Sequence, residues 1–379
     1  MKYIEHIYIF LQSAFSLLPI SKQKIMFIGY YGSQYGCSPK YLSQMITQLH
    51  PDWDVIWAFV DPSKHNIPNI RKVKYLSLRF FYELATSRVL ITNYRMPEYY
   101  IKRRGQYYLM TWHSSLRLKA IEADVEESLP SHYITMAKAD SKKIDTLLSG
   151  CRYSDEIFRR AFWYDGEILS SGTPRIDILL SESGKCLVSP IKKSLGVDGY
   201  NILLYAPTFR KNNSCQCYNL DFDKIVNLLQ SISGKPWKVL MRLHPHMINQ
   251  SAELINSDCM IDVTAYDDIQ ELLMISDMLI TDYSSLMFDF AETKRPCLLY
   301  TPDINEYQHD DRKLYFRIQD LPFPACLTQD ELMKEISHFD ADTYVQNIEL
   351  FTRTIGSYED GHSCSRVISH IEKWINPKK

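Results

Sequence analysis

The chain has no CxxC pair, no apolar run long enough to cross a bilayer, little net charge and no glycine-rich nucleotide motif. Each absence removes a class of protein. Nine cysteines are scattered over 379 residues with only Cys215 and Cys217 close together. An odd count without framework spacing fits reduced thiols in a cytosolic protein, not a disulfide scaffold or a zinc site. A net charge of −2 gives no bulk attraction for nucleic acid, so any anion site must be local. The stretch GYYGSQYG (29–36) is not G-x-G-x-x-G, and no G-x-x-x-x-G-K-[ST] occurs, which disfavours dinucleotide and P-loop chemistry. No DxD-type carboxylate cluster stands near the polar motifs, so no metal is required, and Mg²⁺ assistance stays open. Internal repeats and low-complexity tracts are absent.

What is present is globular: 45% hydrophobic and 23% charged residues, in a length that favours two domains. Short apolar runs alternate with helical patterns. Strands are expected at 24–30, 54–60, 88–92, 107–112, 201–206, 237–243, 278–281 and 297–300. Helices are expected from about Pro39 and over 140–148, 154–162, 221–232, 268–275, 329–338 and 361–374. Residues 181–199 mix Ser, Gly, Lys and Pro and read as the linker. Alternation on both sides of it implies an α/β protein with two doubly wound parallel sheets. Ligands of such sheets sit beyond the carboxyl ends of the strands. The expected division is an N-terminal apolar segment (1–22), a first lobe (23–185) and a second lobe (186–379). Within the first segment, Ile7–Ile20 is about fourteen residues, short of the ~20 a transmembrane helix needs. It reads equally as a helix packed on the protein or one resting on a membrane surface.

The polar motifs fall at strand ends. Met278–Phe290, MLITDYSSLMFDF, places Asp282, Ser284 and Ser285 where a strand hands over to a helix, an arrangement of hydroxyls and backbone N–H groups suited to phosphate. One serine could simply cap the helix; a pair after Asp-Tyr asks for more. Arg242 and His244, followed by Pro245 and His246, end another apolar run and could neutralise a leaving phosphate. His113, after YYLMTW, has the imidazole pKa range of a general base. Arg175 in SGTPR and Arg210 in APTFR each follow a proline turn, as salt-bridge partners or as anion contacts. Lys102-Arg103-Arg104 is a basic run, a solvated face or a contact for anionic lipid.

In combination and order, TWHSSLRLK (111–119), SGTPRID (171–177), LLYAPTFR (203–210), RLHP (242–245), ELLMISDMLITDYSSLMFDFAETKRPCLLY (271–300) and DGHSCSRV (360–367) resemble the CDP-glycerol glycerophosphotransferase family of teichoic acid and capsule polymer synthesis. The resemblance covers nearly the whole chain. It implies a GT-B-like fold with a cleft between an acceptor-side and a CDP-donor-side lobe. It also implies transfer of glycerol phosphate from CDP-glycerol to a hydroxyl of a lipid-linked glycan, with release of CMP. The corresponding location is the cytoplasmic face of the membrane, at the inner leaflet. By the same resemblance His113 is the acceptor-activating base, His244 meets the donor pyrophosphate, Ser284 and Ser285 with Asp282 hold the donor phosphates, and Asp360 and Gly361 line the donor side. Arg175 and Arg210 match family arginines of looser role. CDP-ribitol is the alternative donor, and a nucleotide-sugar glycosyltransferase or a non-catalytic scaffold are the alternative functions. The family's usual Trp-His-Gly-Thr-Pro-Leu-Lys is here Trp112-His113-Ser114-Ser115-Leu116-Arg117-Leu118-Lys119, which places acceptor identity in question before donor chemistry.

Overall fold

A computed structural model describes residues 2–210, 220–244, 254–255, 257–310 and 313–376, the side chains of 2–3 and 308–310 excepted. The chain divides into two compact units, each around its own parallel sheet. The first comprises Met1–Ser115, Ile121–Ile178 and Tyr358–Lys379; the second comprises Leu116–Ala120 and Leu179–Ser357.

The first unit contains strands β1 (Ser21–Ile28), β2 (Asp54–Phe59), β3 (Arg71–Lys74), β4 (Ser87–Thr92), β5 (Tyr107–Met110), β6 (Thr146–Ser149) and β7 (Glu167–Ser170). Their spatial order is β3-β2-β1-β4-β5-β6-β7. Helices α1 (Lys2–Phe15), α2 (Cys37–Leu49), α3 (Leu78–Thr86), α4 (Ser131–Ser141) and α5 (Arg152–Ala161) connect or flank the strands. The short α6 (Asp177–Leu180) leads out of the unit. In β1 the fully buried Ile25 and Phe27 join one core cluster with α2, and Met26 and Ile28 join another with α3 and α5. That alternation on a strand buried on both faces is the apolar run legible in the sequence.

The second unit opens with α7 (Glu182–Ser194) and β8 (Asn201–Ala206). Then come α8 (Phe222–Ser233), β9 (Trp237–Met241), β10 (Met260–Asp262), α9 (Ile269–Ile275) and β11 (Met278–Thr281). They are followed by α10 (Leu286–Ala291), β12 (Cys297–Tyr300), α11 (Ile304–Asp310), β13 (Ala325–Cys326), α12 (Gln329–Ser337) and α13 (Ala341–Ile355). Strand order β10-β9-β8-β11-β12-β13 repeats the first sheet's plan, so each sheet reverses direction between its first and fourth strands. The last helix, α14 (Ser363–Ile375), returns to the first unit, where Cys364, Val367, Ile368 and Ile371 pack with Ile25, Phe27 and Trp57. This is the GT-B plan expected from the sequence.

Four details differ from the expectation. Residues 140–148 are not one helix: α4 ends at Ser141 and Thr146–Ser149 is a buried strand. A four-residue apolar run cannot be told from a helix by periodicity. Residues 181–199 are not an irregular linker. They form α7, capped by the Ser181 hydroxyl on Gly184 N, with Pro190 inside it, and α7 packs on α9. Strand β3, RKVK, went unread because only Val73 is buried at that sheet edge. The units divide at 178/179, not 185/186, and the C-terminal 22 residues belong with the first unit. Among the described residues no helix is long and apolar enough to cross a membrane. Helix α1 buries Tyr8, Ile9, Leu11 and Phe15 against the first core while Ile4, Ile7 and Phe10 are exposed.

Candidate active site

Three neighbouring strand ends at the switch point of the second sheet carry the second unit's motifs. After β11, the Asp282 carboxylate accepts from Thr208 N (2.8 Å), Thr208 Oγ1 (2.6 Å) and Tyr283 N (2.6 Å). It also pairs with Arg210 Nη1 at 2.9 Å. Arg210 in turn forks onto Asp303, with Nε at 2.6 Å and Nη2 at 3.1 Å, and donates to Thr208 O. Its guanidinium lies 4.9 and 5.0 Å from the Tyr283 and Tyr307 ring centroids. Burial, and then the Asp303 carboxylate, push the Tyr283 phenol far above its ordinary pKa, so it keeps its proton and donates to Asp303. Asp282 and Arg210, expected as donor contacts, thus brace the turn after β8 against the end of β11. The sequence could not show this because Asp303 lies 93 residues from Arg210.

That brace sets the Ser-Ser pair. Ser284 Oγ accepts from Leu286 N at 3.3 Å, the ordinary task of a residue opening a helix. Ser285 makes no cap to its own helix; its Oγ accepts from Leu118 N at 3.1 Å. Leu118 belongs to Leu116–Ala120, which also bonds through Tyr315 N→Leu118 O and Ala120 N→Lys313 O, both 2.8 Å. The latter half of the Trp-His motif is therefore part of the second unit. After β9, Arg242 Nη1 donates to Tyr266 O at 2.5 Å, and His244 is exposed with its ring 5.7 Å from Phe209. His246 and the Cys215/Cys217 pair lie outside the described residues.

In the first unit the switch point lies between β1 and β4. Its residues are Tyr30 after β1, Asn93 after β4 and His113 after β5. His113 is exposed, and its Nδ1 lies 3.2 Å from Asn93 O. A carbonyl can only accept, so Nδ1 carries a proton, and the neutral ring presents Nε2 as its basic nitrogen. Trp112, at φ 53°, turns the chain out of the sheet beneath it. Asn93, fully buried, accepts from Tyr30 N through Oδ1 at 2.9 Å, so one residue ties the β1 loop to the histidine. Sequence reasoning missed Asn93; the only signal was an amide at the end of a buried strand. Arg175 is buried, with Nη1 3.7 Å from Cys37 Sγ.

Asp360 and Gly361 belong to the first unit, where the Arg366 guanidinium forks onto Asp360 at 2.7 and 2.8 Å and holds its carboxyl below the ordinary range. The SGTPRID and DGHSCSRV motifs bind each other. Arg366 donates to Ser171 O, Glu359 accepts from Thr173 N and Oγ1, and Asp177 accepts from Ser363 N (3.0 Å) and Cys364 N (2.7 Å) at the start of α14. Gly172, at φ +76°, admits this clasp: a Cβ there would come within 2.4 Å of Ser363 Oγ. Among the described residues no group of three or more His, Cys, Asp or Glu is placed to hold a metal ion.

Comparison with known proteins agrees with the architecture. The family model of CDP-Glycerol:Poly(glycerophosphate) glycerophosphotransferase matches residues 10–373. The teichoic acid poly(glycerol phosphate) polymerase of Bacillus subtilis (strain 168) is 31% identical over 375 residues, which cover 94% of this chain and 50% of that protein. The chain thus spans about half the length of that relative. The teichoic acid glycerol-phosphate transferase of Staphylococcus aureus (strain NCTC 8325 / PS 47) is 30% identical over 392 residues, covering 98% of both. A solved structure of the wall teichoic acid polymerase TagF superposes with a TM-score of 0.86 at 30% identity, over 96% of this chain and 93% of that one. A putative UDP-N-acetylglucosamine 2-epimerase from Listeria monocytogenes, 13% identical with a TM-score of 0.53, shares the fold alone.

Proposed function

The chain belongs to the CDP-glycerol:poly(glycerophosphate) glycerophosphotransferase family, and from that premise we propose that it transfers glycerol phosphate from CDP-glycerol to a hydroxyl of a lipid-linked glycan, releasing CMP. The observation that carries this reading is the likeness to the Staphylococcus aureus glycerol-phosphate transferase over 98% of both chains.

Phosphoryl transfer depends on positioning and charge neutralisation more than on covalent chemistry. His113, held through Nδ1 by Asn93 O, takes the acceptor's proton on Nε2 as the hydroxyl oxygen attacks the β-phosphorus. The new P–O bond joins acceptor and glycerol phosphate; the broken one is the pyrophosphate bridge, whose electrons leave with CMP. His244, Arg242 and the hydroxyls of Ser284 and Ser285 bear on the donor phosphates. Asp282 and Arg210 keep those hydroxyls in place. In this reading no resident cofactor is required, and Mg²⁺ assistance stays open. Incubation with CDP-glycerol, CDP-ribitol and UDP-sugars, each with and without EDTA, tests this. CMP release from CDP-glycerol is expected; UDP release alone, with the CDP-polyols untouched, refutes it.

The same reading has the protein rest on the cytoplasmic face of the membrane, through the exposed Ile4, Ile7 and Phe10 of α1. Deleting α1 would uncover the core it seals, so the test is Ile4→Ser/Ile7→Ser/Phe10→Ser. Liposome co-sedimentation should fall with folding intact; unchanged co-sedimentation removes this part of the proposal.

A further inference from the structure

The loop between β1 and α2 adopts a conformation that its residues resist. Tyr30 and Tyr31 sit consecutively at φ 45° and 55°, in the left-handed region, where each non-glycine residue carries a steric penalty. Gly32, at φ +81°, completes the turn. The structure keeps this strain and also leaves an aromatic ring outside: Tyr31 is 45% exposed, its inner side against the buried Tyr94 at a centroid distance of 3.9 Å. Burial of its hydroxyl end pushes its phenol up to about 12, so the ring stays neutral.

The surroundings are those of a ligand site. The ring of Tyr30, the neighbour of Tyr31 in this loop, lies 6.5 Å from the His113 ring, and that of Trp112 lies 4.3 Å from it, so two aromatic residues flank the histidine. Beneath them Asn93 is fully buried; Oδ1 receives Tyr30 N, which fixes the amide's orientation, and Nδ2 has no acceptor among the described residues. A buried donor without an acceptor is costly and rarely kept unless something supplies one. A sugar offers both complements: an apolar C–H face for an aromatic ring, and hydroxyl oxygens for an amide.

We propose that the Tyr30–Tyr31 loop is the acceptor-sugar platform, with Tyr31 stacking on the face of the sugar ring and Asn93 Nδ2 binding a hydroxyl beside His113. This rests on the transferase reading and deepens it by naming what selects the acceptor. The base acts on whichever hydroxyl the platform presents. The proposal also makes the loop independent of the nucleotide: Tyr31 selects the acceptor, not the donor.

Tyr31→Ala, Tyr31→Phe and Tyr31→Gly test it. For the transfer reaction, Tyr31→Ala should raise the acceptor KM about five- to tenfold, with the KM for CDP-glycerol unchanged. Tyr31→Phe should keep the wild-type value. Tyr31→Gly separates the roles: both variants lose the ring, but glycine accepts the left-handed φ without penalty, so its Tm should exceed that of Tyr31→Ala, whereas the two acceptor KM values should rise together. An unchanged acceptor KM in both, or a rise in the CDP-glycerol KM instead, overturns the platform. In parallel, a disaccharide glycoside with a short alkyl aglycone is titrated without donor by saturation-transfer NMR. Binding lost in Tyr31→Ala supports the platform, and binding equal to wild type overturns it. Failure of the transferase reading shows separately, as absence of CMP release by the wild-type protein.

Discussion

Replacing Arg210 by methionine distinguishes a brace from a ligand contact. The guanidinium is 4% exposed and bridges two carboxylates, Asp282 at 2.9 Å and Asp303 at 2.6 Å, themselves 4% and 11% exposed. Methionine matches much of the volume but leaves both acids without their cation. Breaking a buried pair costs about 3–5 kcal/mol, chiefly because a charge stays buried unpaired. Asp282 keeps the two Thr208 donors and Asp303 keeps the Tyr283 hydroxyl. These put the expected loss at roughly 3–4 kcal/mol, a large share of the 5–15 kcal/mol of a typical domain. Arg210→Met/Asp303→Asn should recover about 1–2 kcal/mol of it by removing one orphaned charge. Urea unfolding followed by tryptophan fluorescence is the assay, since Trp237 is the second unit's one tryptophan and is buried. A loss under about 1 kcal/mol, well below the cost of orphaning a buried charge, together with abolished CDP-glycerol binding in calorimetry, would refute the brace and make Arg210 a donor ligand.

Three further outcomes follow from the same geometry. His113→Ala should lower kcat by about 10²–10⁴ with CDP-glycerol affinity retained, whereas His244→Ala should weaken donor binding; equal loss of donor affinity in both contradicts the roles given. Glu292, at the end of α10, is raised to about 7, mainly by burial, against the Ser357 hydroxyl that donates to it. A raised carboxyl holds its proton in the folded state, so stability falls as pH climbs from the unfolded value toward 7. Glu292→Gln should therefore raise Tm at pH 8, by the equivalent of roughly 2–3 kcal/mol, and change it little at pH 4.5. Equal effects at both pH values would exclude this. Asp177→Ala removes both N-terminal bonds of α14 and should cost about 1–2 kcal/mol, seen as faster amide exchange confined to α14 and its neighbours; protection identical to wild type would show the clasp to be dispensable.

The sequence by itself determined the two parallel sheets, most of their strands and the strand ends that carry polar groups. These are local properties: a strand buried on both faces must be a short apolar run, and polar groups that follow it must emerge at its carboxyl end. The placement of His113, Ser284 and Ser285 just after strands was legible for that reason. Tertiary structure alone decided which polar residues serve each other. Arg210 could be a salt-bridge partner or an anion contact until Asp303 closed its fork, and the hydroxyl of Ser285, read as a phosphate contact, proved to accept from Leu118 N, 167 residues earlier. That Asp360 belongs with the first unit, held there by Arg366, was likewise decided by the fold. Asn93, silent in the sequence, proved to join Tyr30 to His113. Composition and periodicity describe what a segment can bury; they do not say which distant donor meets which acceptor, because that depends on how the topology folds strands far apart in the chain onto one sheet end.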